Sequence, residues 1–382
     1  MIKSFSATTR EIDDAQVAIA EIKAALNLEK NMLKNSLGII TCFSEFDDTG
    51  VLKAICDALP FDCIGATSIL SAANDGVDQI IFAITVLTSD DCFFQTTVIP
   101  ITEKYEDSIA SAMPELLEKY DEKPKLLLSY LPLINTVGGD LILTEIDKAT
   151  GGIPLFGTIT VDHTIDYSTS KTILNGTAYR ESAVLGAIYG NLNVSFAIAS
   201  LDENKVRKQK AIITASSGNI LTGVNDKLVL EYLEEVGLTK RDLDMGLGII
   251  PLLIDHPAIG KPVARAVYTL TPEGHAICGG SMPMGSTLAI GRIDMGDVLS
   301  TTEKTLSSLA EKDSTVLIYS CMGRYLALGA DNNAEAGKVG EICGDSPYLF
   351  AYSGGEVCPM PDEEGKLKNI FHNYTIVFCK LS

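Results

Sequence analysis

One pattern recurs three times along this chain, a strand, a helix, a strand and a further strand, and it restricts the fold more than any single motif does. In the first copy the run LGIITCFS, Leu37 to Ser44, leads into a helical pattern around TGVLKAICDALP, then DCIGATS and the strand DQIIFAITVL. The second copy reads PKLLLSY, GGDLILTEIDKAT, IPLFGTITVD with LNGTAYRE after it, and SAVLGAIYG. The third reads STVLIYSCMGR, NNAEAGKVGEI, PYLFAYSGGE and NYTIVFCKL. Short β-rich apolar runs mark the strands, and apolar positions three and four apart mark the helices.

A strand-helix-strand unit has a crossover connection, so its two strands run parallel and bring their C-terminal ends to one rim of the sheet. Ser44, Ser129 and Cys321 are expected to end the first strands, and Gly65, Gly157 and Gly354 the second. A third strand returning antiparallel starts at the same rim. That topology gathers Cys321, Arg324, Ser353, Glu356, His372 and Asn373, where open α/β sheets place ligands. The expected class is α/β (mixed α+β): two domains built from these units, with mixed sheets and helices on their outer faces.

The domains divide at 1–205 and 206–382, because LDENKVRKQK interrupts the apolar pattern. Between the second and third copies, Ser217 to Asn219 reads as a hairpin turn, and NDKLVLEYLEEVGL as a capped amphipathic helix ending at Gly237. More β-structure follows, then a helix from Asp297 to Lys312. EIDDAQVAIAEIKAALNLEK near the N-terminus is a further amphipathic helix.

A formal charge of -20 and a pI near 4.6, with no basic run, oppose binding to nucleic acid or to an anionic membrane surface. No run of about 18 apolar residues is present to span a bilayer, and the first residues lack the apolar core of a signal peptide. Nine cysteines, an odd number with no CxxC pair, suit reduced thiols in the cytoplasm.

The residues at the predicted rim carry competing readings. Arg324 and Glu356 either pair with each other or hold the carboxylate and ammonium of one ligand. Glu335, further along, is expected to cap or solvate its helix. His372 is a hydrogen-bonded structural residue or a ligand contact, and Asn373 caps the turn into YTIVF. Ser353, Gly354 and Gly355 present backbone amides to a ligand through unusual φ values, or simply make a tight turn. Cys321 with His372 is a candidate nucleophile and base, set against an inert buried thiol. Four histidines, none in a His-x-x-His spacing, argue against a structural metal, and without CxxCH only noncovalent haem is open. Nucleophile-elbow, HExxH and phosphate-loop motifs are absent.

YSCMGRYLALGADNNAE followed by FAYSGGEVCPMPDEEGKLKNIFHNYTIVF resembles the C-terminal signature of FIST (F-box and intracellular signal transduction) proteins, with Ser-Cys-x-x-Arg, Gly-Glu-x-x-Pro and His-Asn-x-Thr. LPFDCIGATSILSAANDG and IPLFGTITVD are similar to the N-terminal half of that family, with Thr158 where many members carry a second glycine after Gly157. The resemblance implies a cytoplasmic, noncatalytic sensory module that binds a small molecule, proposed in the family to be an amino acid or a derivative. The residue spacing leads to the expectation of no cofactor, with noncovalent haem left open because some members of the family are haem-dependent nitric oxide sensors. With no room for a fused output domain, the signal is expected to leave through a separate partner protein. An enzyme using Cys321 and a haem-based gas sensor remain the alternatives.

Overall fold

The computed structural model describes residues 2–134, 137–164, 167–201, 203–237, 250–256, 259–309 and 314–382. In each repeated unit the first two strands pair in parallel: Asn35–Cys42 with Asp62–Thr67, Leu126–Leu131 with Leu155–Ile159, and Thr315–Cys321 with Tyr348–Ser353. The third strands, Phe82–Ser89, Ser182–Gly190 and Ile376–Leu381, lie antiparallel on the other side of the first. The mixed α/β architecture is therefore as expected. Continuous apolar runs form these strands because both sheet faces are covered.

What the repeat pattern does not announce is an exchange of hairpins. The hairpin after each second strand leaves its own unit and extends another unit's sheet. Ser71–Ala73 of the first unit pairs with Tyr348–Ser353 of the third. Thr172–Leu174 of the second pairs with Asp62–Thr67 of the first, and Glu356–Pro361 of the third pairs with Leu155–Ile159 of the second. The units thus close a ring in which each lends a hairpin to another. A further strand, Lys3–Thr9, Cys92–Pro100 or Val194–Ala199, completes each six-stranded sheet at its opposite edge.

The three sheets turn one face toward a common core that includes Ile39, Ile64, Leu128, Phe156, Leu317 and Leu349. There the hydroxyls of Tyr130 and Tyr319 hydrogen-bond to each other at 2.9 Å, which satisfies both polar tips inside the core. The opposite faces carry the helices, among them Val51–Asp57, Gly139–Thr150 and Ala334–Cys343. Near the N-terminus, Asp14 caps the helix Ala15–Leu26 by accepting from the amides of Gln16 and Val17.

The described strands between residues 206 and 291 form an eight-stranded sheet with its own core around Ile213, Leu221, Leu252, Ile254 and Val263. One expectation here needs correction. Asn225 and Asp226 do not cap a helix: with φ of 51° and 61° they are the two-residue turn joining Ile220–Val224 to Lys227–Leu228. The helix that follows, Val229–Glu235, has no side-chain cap. The helix expected up to Lys312 runs over Met295–Leu309, and its last predicted turn lies outside the described residues.

Nor do Gly65 and Gly157 end their strands. Both sit inside, opposite Ile40 and Ser129, and Thr158 is likewise a strand residue rather than part of a turn. A Cβ at Gly65 would lie 1.9 Å from the Ile40 carbonyl oxygen, and one at Gly157 would lie 1.7 Å from that of Ser129. Close backbone approach, not a left-handed turn, requires glycine at both. Among the described residues no helix is long and apolar enough to cross a membrane.

Candidate functional site

The rim residues sort into three structural roles. The first is a buried ion-pair network. Arg324, 1% exposed, pairs with Glu335 rather than Glu356: Nη2 donates to Glu335 Oε1 at 2.6 Å and Nε to the same oxygen at 3.0 Å. Its remaining donors reach the Val298 carbonyl and the hydroxyls of Thr301 and Thr302. Ser320 donates to the other oxygen of Glu335 at 2.7 Å. Glu335 is fully buried, so it neither caps nor solvates its helix. The network ties the helices Met295–Leu309, Met322–Leu328 and Ala334–Cys343 together, and its guanidinium has its bonds committed inside the protein.

The second role is docking of the 206–291 sheet onto the chain's tail. The hydroxyl of Tyr268 donates to the Gly354 carbonyl at 2.7 Å, and Asn373 Nδ2 donates to the same oxygen at 3.3 Å. Asn373 Oδ1 accepts from the Ala266 amide at 3.2 Å, and the buried Arg265 donates to the Phe371 carbonyl at 3.1 Å. Gly354 and Gly355 are not in the left-handed region, which corrects the expectation of unusual φ values. A Cβ at Gly355 would come within 2.3 Å of the Phe371 ring, so packing accounts for that glycine.

The third is a buried carboxylic acid behind a cleft. Glu356 is fully buried and accepts hydrogen bonds from Ser353 and, at 2.6 Å, from Thr375. Burial pushes its carboxyl up to about 8, against the lowering effect of the two hydroxyls and of Arg324. At neutral pH it holds a proton, and its burial keeps it from a free ligand's ammonium group. Opposite it in register stands His372, whose Nε2 donates to the Cys358 carbonyl at 3.2 Å. Burial holds this imidazole down to about 3, so it is neutral. Cys321 is buried beside Glu356, and burial first, then the negative charge of Glu356 once it ionises, raises its thiol well above the ordinary range.

His372 and Thr375 form part of the wall of a cleft of about 500 Å³ between the repeats and the 206–291 sheet. Leu253, Ala264 and Ala289 make its floor on one face of that sheet, in direct register across three strands. Lys210, Asp255 and Thr287 supply charge and polarity on the same face, Thr287 donates to Asp255, and Lys261 lines the cleft from the edge strand with its Nζ donating to the Pro361 carbonyl at 3.5 Å. None of these four stood out in the sequence, because charged residues in short hairpin strands are ordinary surface features. Gly65 and Gly157 do not line the cleft. No group of histidine, cysteine or acidic side chains among the described residues has the arrangement of a metal site. His372 also spends Nε2 on a carbonyl, which leaves that nitrogen unsuited to haem iron.

A family model described as the FIST N domain matches residues 36–227, and one described as the FIST C domain matches residues 227–359. Comparison with curated proteins finds no sequence match. Among solved structures, cyanuric acid hydrolase from A. caulinodans aligns over 100% of this chain and 99% of its own at 9% identity, with a TM-score of 0.39. A second cyanuric acid hydrolase structure aligns over 76% of this chain and 99% of its own at 8% identity, with a TM-score of 0.33.

Proposed function

The chain belongs to the FIST family, and on that premise we propose that it is a noncatalytic sensor that binds a small organic ligand, an amino acid or a derivative, between its repeats and its 206–291 sheet. FIST domains are signal-transduction sensory modules, and a change of state in such a module is passed on to another domain or protein. The observation that carries the reading is the cleft itself: about 500 Å³ with an apolar floor and both signs of charge at its edge, the composition that suits a zwitterion with an organic body.

The burial and raised pKa of Cys321 support a noncatalytic role, since the thiolate is the nucleophilic form. All nine cysteines are buried free thiols, which supports a reducing, cytoplasmic setting.

Two walls from different parts of the chain also supply a signalling route. A ligand that bridges them binds the closed arrangement better than an open one and shifts the population toward it. The test is a thermal-shift screen of the twenty amino acids against the purified protein. A bound amino acid at saturating concentration should raise Tm by several degrees. If none of the twenty moves Tm, and titration calorimetry is also silent, the reading is wrong.

A further inference from the structure

One border of the cleft bears on the class of ligand it takes, a question that rests on the ligand-binding reading above. Lys261, Pro262, Val263 and Ala264 all line it, four residues in unbroken succession. Side chains alternate between the two faces of a strand, so a cleft lying against one face would meet every second residue. Consecutive residues line a space only where a strand presents its edge. The strand Lys261–Arg265 is such an edge: it ends the order of its sheet, with Leu252–His256 on one side and no paired strand on the other among the described residues.

The main chain of this edge has a readable polarity. In an antiparallel pair, alternate residues turn their N–H and C=O toward the partner and the rest turn them away. Pro262 has no N–H to give, and proline enters a sheet at an outward-turned position of an edge strand. Ala264 is in step with it, and the Ala264 carbonyl accepts from Arg265 Nη1 at 3.0 Å. Two residues on, the Ala266 amide likewise leaves the sheet and donates to Asn373 Oδ1 at 3.2 Å. The outward groups still to be matched along the cleft are therefore the Pro262 carbonyl and the Ala264 amide. One residue of a chain running parallel to this strand meets both, its N–H donating to Pro262 and its C=O accepting from Ala264. On another part of the lining, His372 spends Nε2 on the Cys358 carbonyl, and the neutral ring leaves Nδ1 as an acceptor for a second N–H. A free amino acid covers one residue of this edge, whereas Lys261 to Ala264 spans three rises, or about 10 Å. A peptide with free termini also brings both signs of charge, as the cleft does through Lys210, Lys261 and Asp255. We infer that the cleft takes a short peptide of two or three residues, extended and laid parallel to Lys261–Arg265 as an added strand, with its main chain bonded to the Pro262 carbonyl and the Ala264 amide.

Main-chain recognition tolerates many side chains, so trialanine serves as the probe. Titration calorimetry of the wild-type protein compares alanine, dialanine, trialanine and trialanine methylated on both amide nitrogens. Two main-chain hydrogen bonds of ordinary net strength correspond to roughly thirtyfold in affinity. Trialanine should bind at least about tenfold more tightly than alanine, and methylation should cost at least about tenfold, since it removes the donors and crowds the edge. Ala264→Pro deletes the edge amide and leaves the ladder to Leu252–His256 in place, so it should weaken trialanine about fivefold or more. Hydrogen exchange of the wild-type protein reads the same contact without a substitution. Saturating trialanine should slow exchange of the Ala264 amide at least about tenfold more than that of Val263, which faces the neighbouring strand. Equal affinity for trialanine and its methylated form, or equal slowing at Ala264 and Val263, would overturn the inference. Trialanine silent while any free amino acid binds would overturn the peptide and leave the sensor reading intact. Silence from the peptides and from all twenty amino acids would overturn both.

Discussion

Glu356→Gln should change the pH dependence of folding in a direction that the burial of this residue dictates. Burial raises the carboxyl from 4.5 to about 8 in the folded protein. Between those values the folded state holds a proton that the unfolded chain has released, so raising the pH favours unfolding. The group's stabilising contribution is complete below about 4.5, declines by 1.36 kcal/mol per pH unit, and levels off above about 8. Across the window this amounts to about 5 kcal/mol. Glutamine has nearly the same shape, retains an oxygen to accept from Ser353 or Thr375, and does not titrate. The variant should therefore lack this decline.

His372 works in a different window and with the opposite sign. Its pKa is lowered from 6.5 to about 3, so its contribution is present above 6.5 and is lost as pH falls toward 3. Both proteins carry His372, and its effect cancels in their difference. Urea denaturation of the two proteins at half-unit steps from pH 5 to pH 9 measures that difference. The gap should move in favour of Glu356→Gln by roughly 1 kcal/mol per unit up to pH 8 and then stop. A gap that stays constant from pH 5 to pH 8 would mean that Glu356 ionises normally in the fold, and the reasoning from burial would fail.

Two further perturbations separate structural residues from the ligand site. Arg324→Met should cost about 3 to 5 kcal/mol in urea denaturation, because it leaves the fully buried Glu335 without its cation. The folded fraction should still bind ligand in the cleft with unchanged affinity, and a variant of wild-type stability that no longer binds would return Arg324 to the ligand. Gly157→Ala should cost about 3 kcal/mol or more, since its Cβ would press on the backbone carbonyl of Ser129 at 1.7 Å and no flexible side chain can give way. Gly151→Ala is the control: φ there is +68° but nothing lies within 4 Å, so it should cost only about 1 kcal/mol by the same assay.

The repeated unit was legible in the sequence because its strands are buried on both faces. IITC, LLLSYL and VLIYSC are continuous apolar runs, and a helix between two such runs compels a parallel pair. The hairpin exchange was hidden for the complementary reason. Ser71–Ala73 and Thr172–Leu174 are three residues long, too short for a pattern to specify a partner, and every sheet offers the same kind of edge beside its second strand. The exchange decides where the tail's polar residues go. Glu356 enters the protein paired with Thr158 of another unit, so its position is set by a strand about 200 residues upstream and not by Arg324 nearby.

Charge in an apolar context correctly marked Arg324 and Glu356 as residues with partners. The choice of partner depended on which helix lay nearest in space, and for Arg324 that helix carries Glu335. Lys261 and Asp255 gave the opposite difficulty. On their own hairpin they are ordinary exposed charges, and they become the edge of a cleft only because the tail strands Glu356–Pro361 and Leu367–His372 arrive opposite them. The periodic signal was present nonetheless. Leu253 and Asp255 share one face of their strand, and Pro262 and Ala264 share the matching face of the next, a half-apolar, half-charged surface with alanine at its centre. A strand face that needed only to be covered would carry a larger residue than alanine at a buried position. Small residues on such a face are therefore the feature by which sequence could have pointed to a cavity before any partner wall was known.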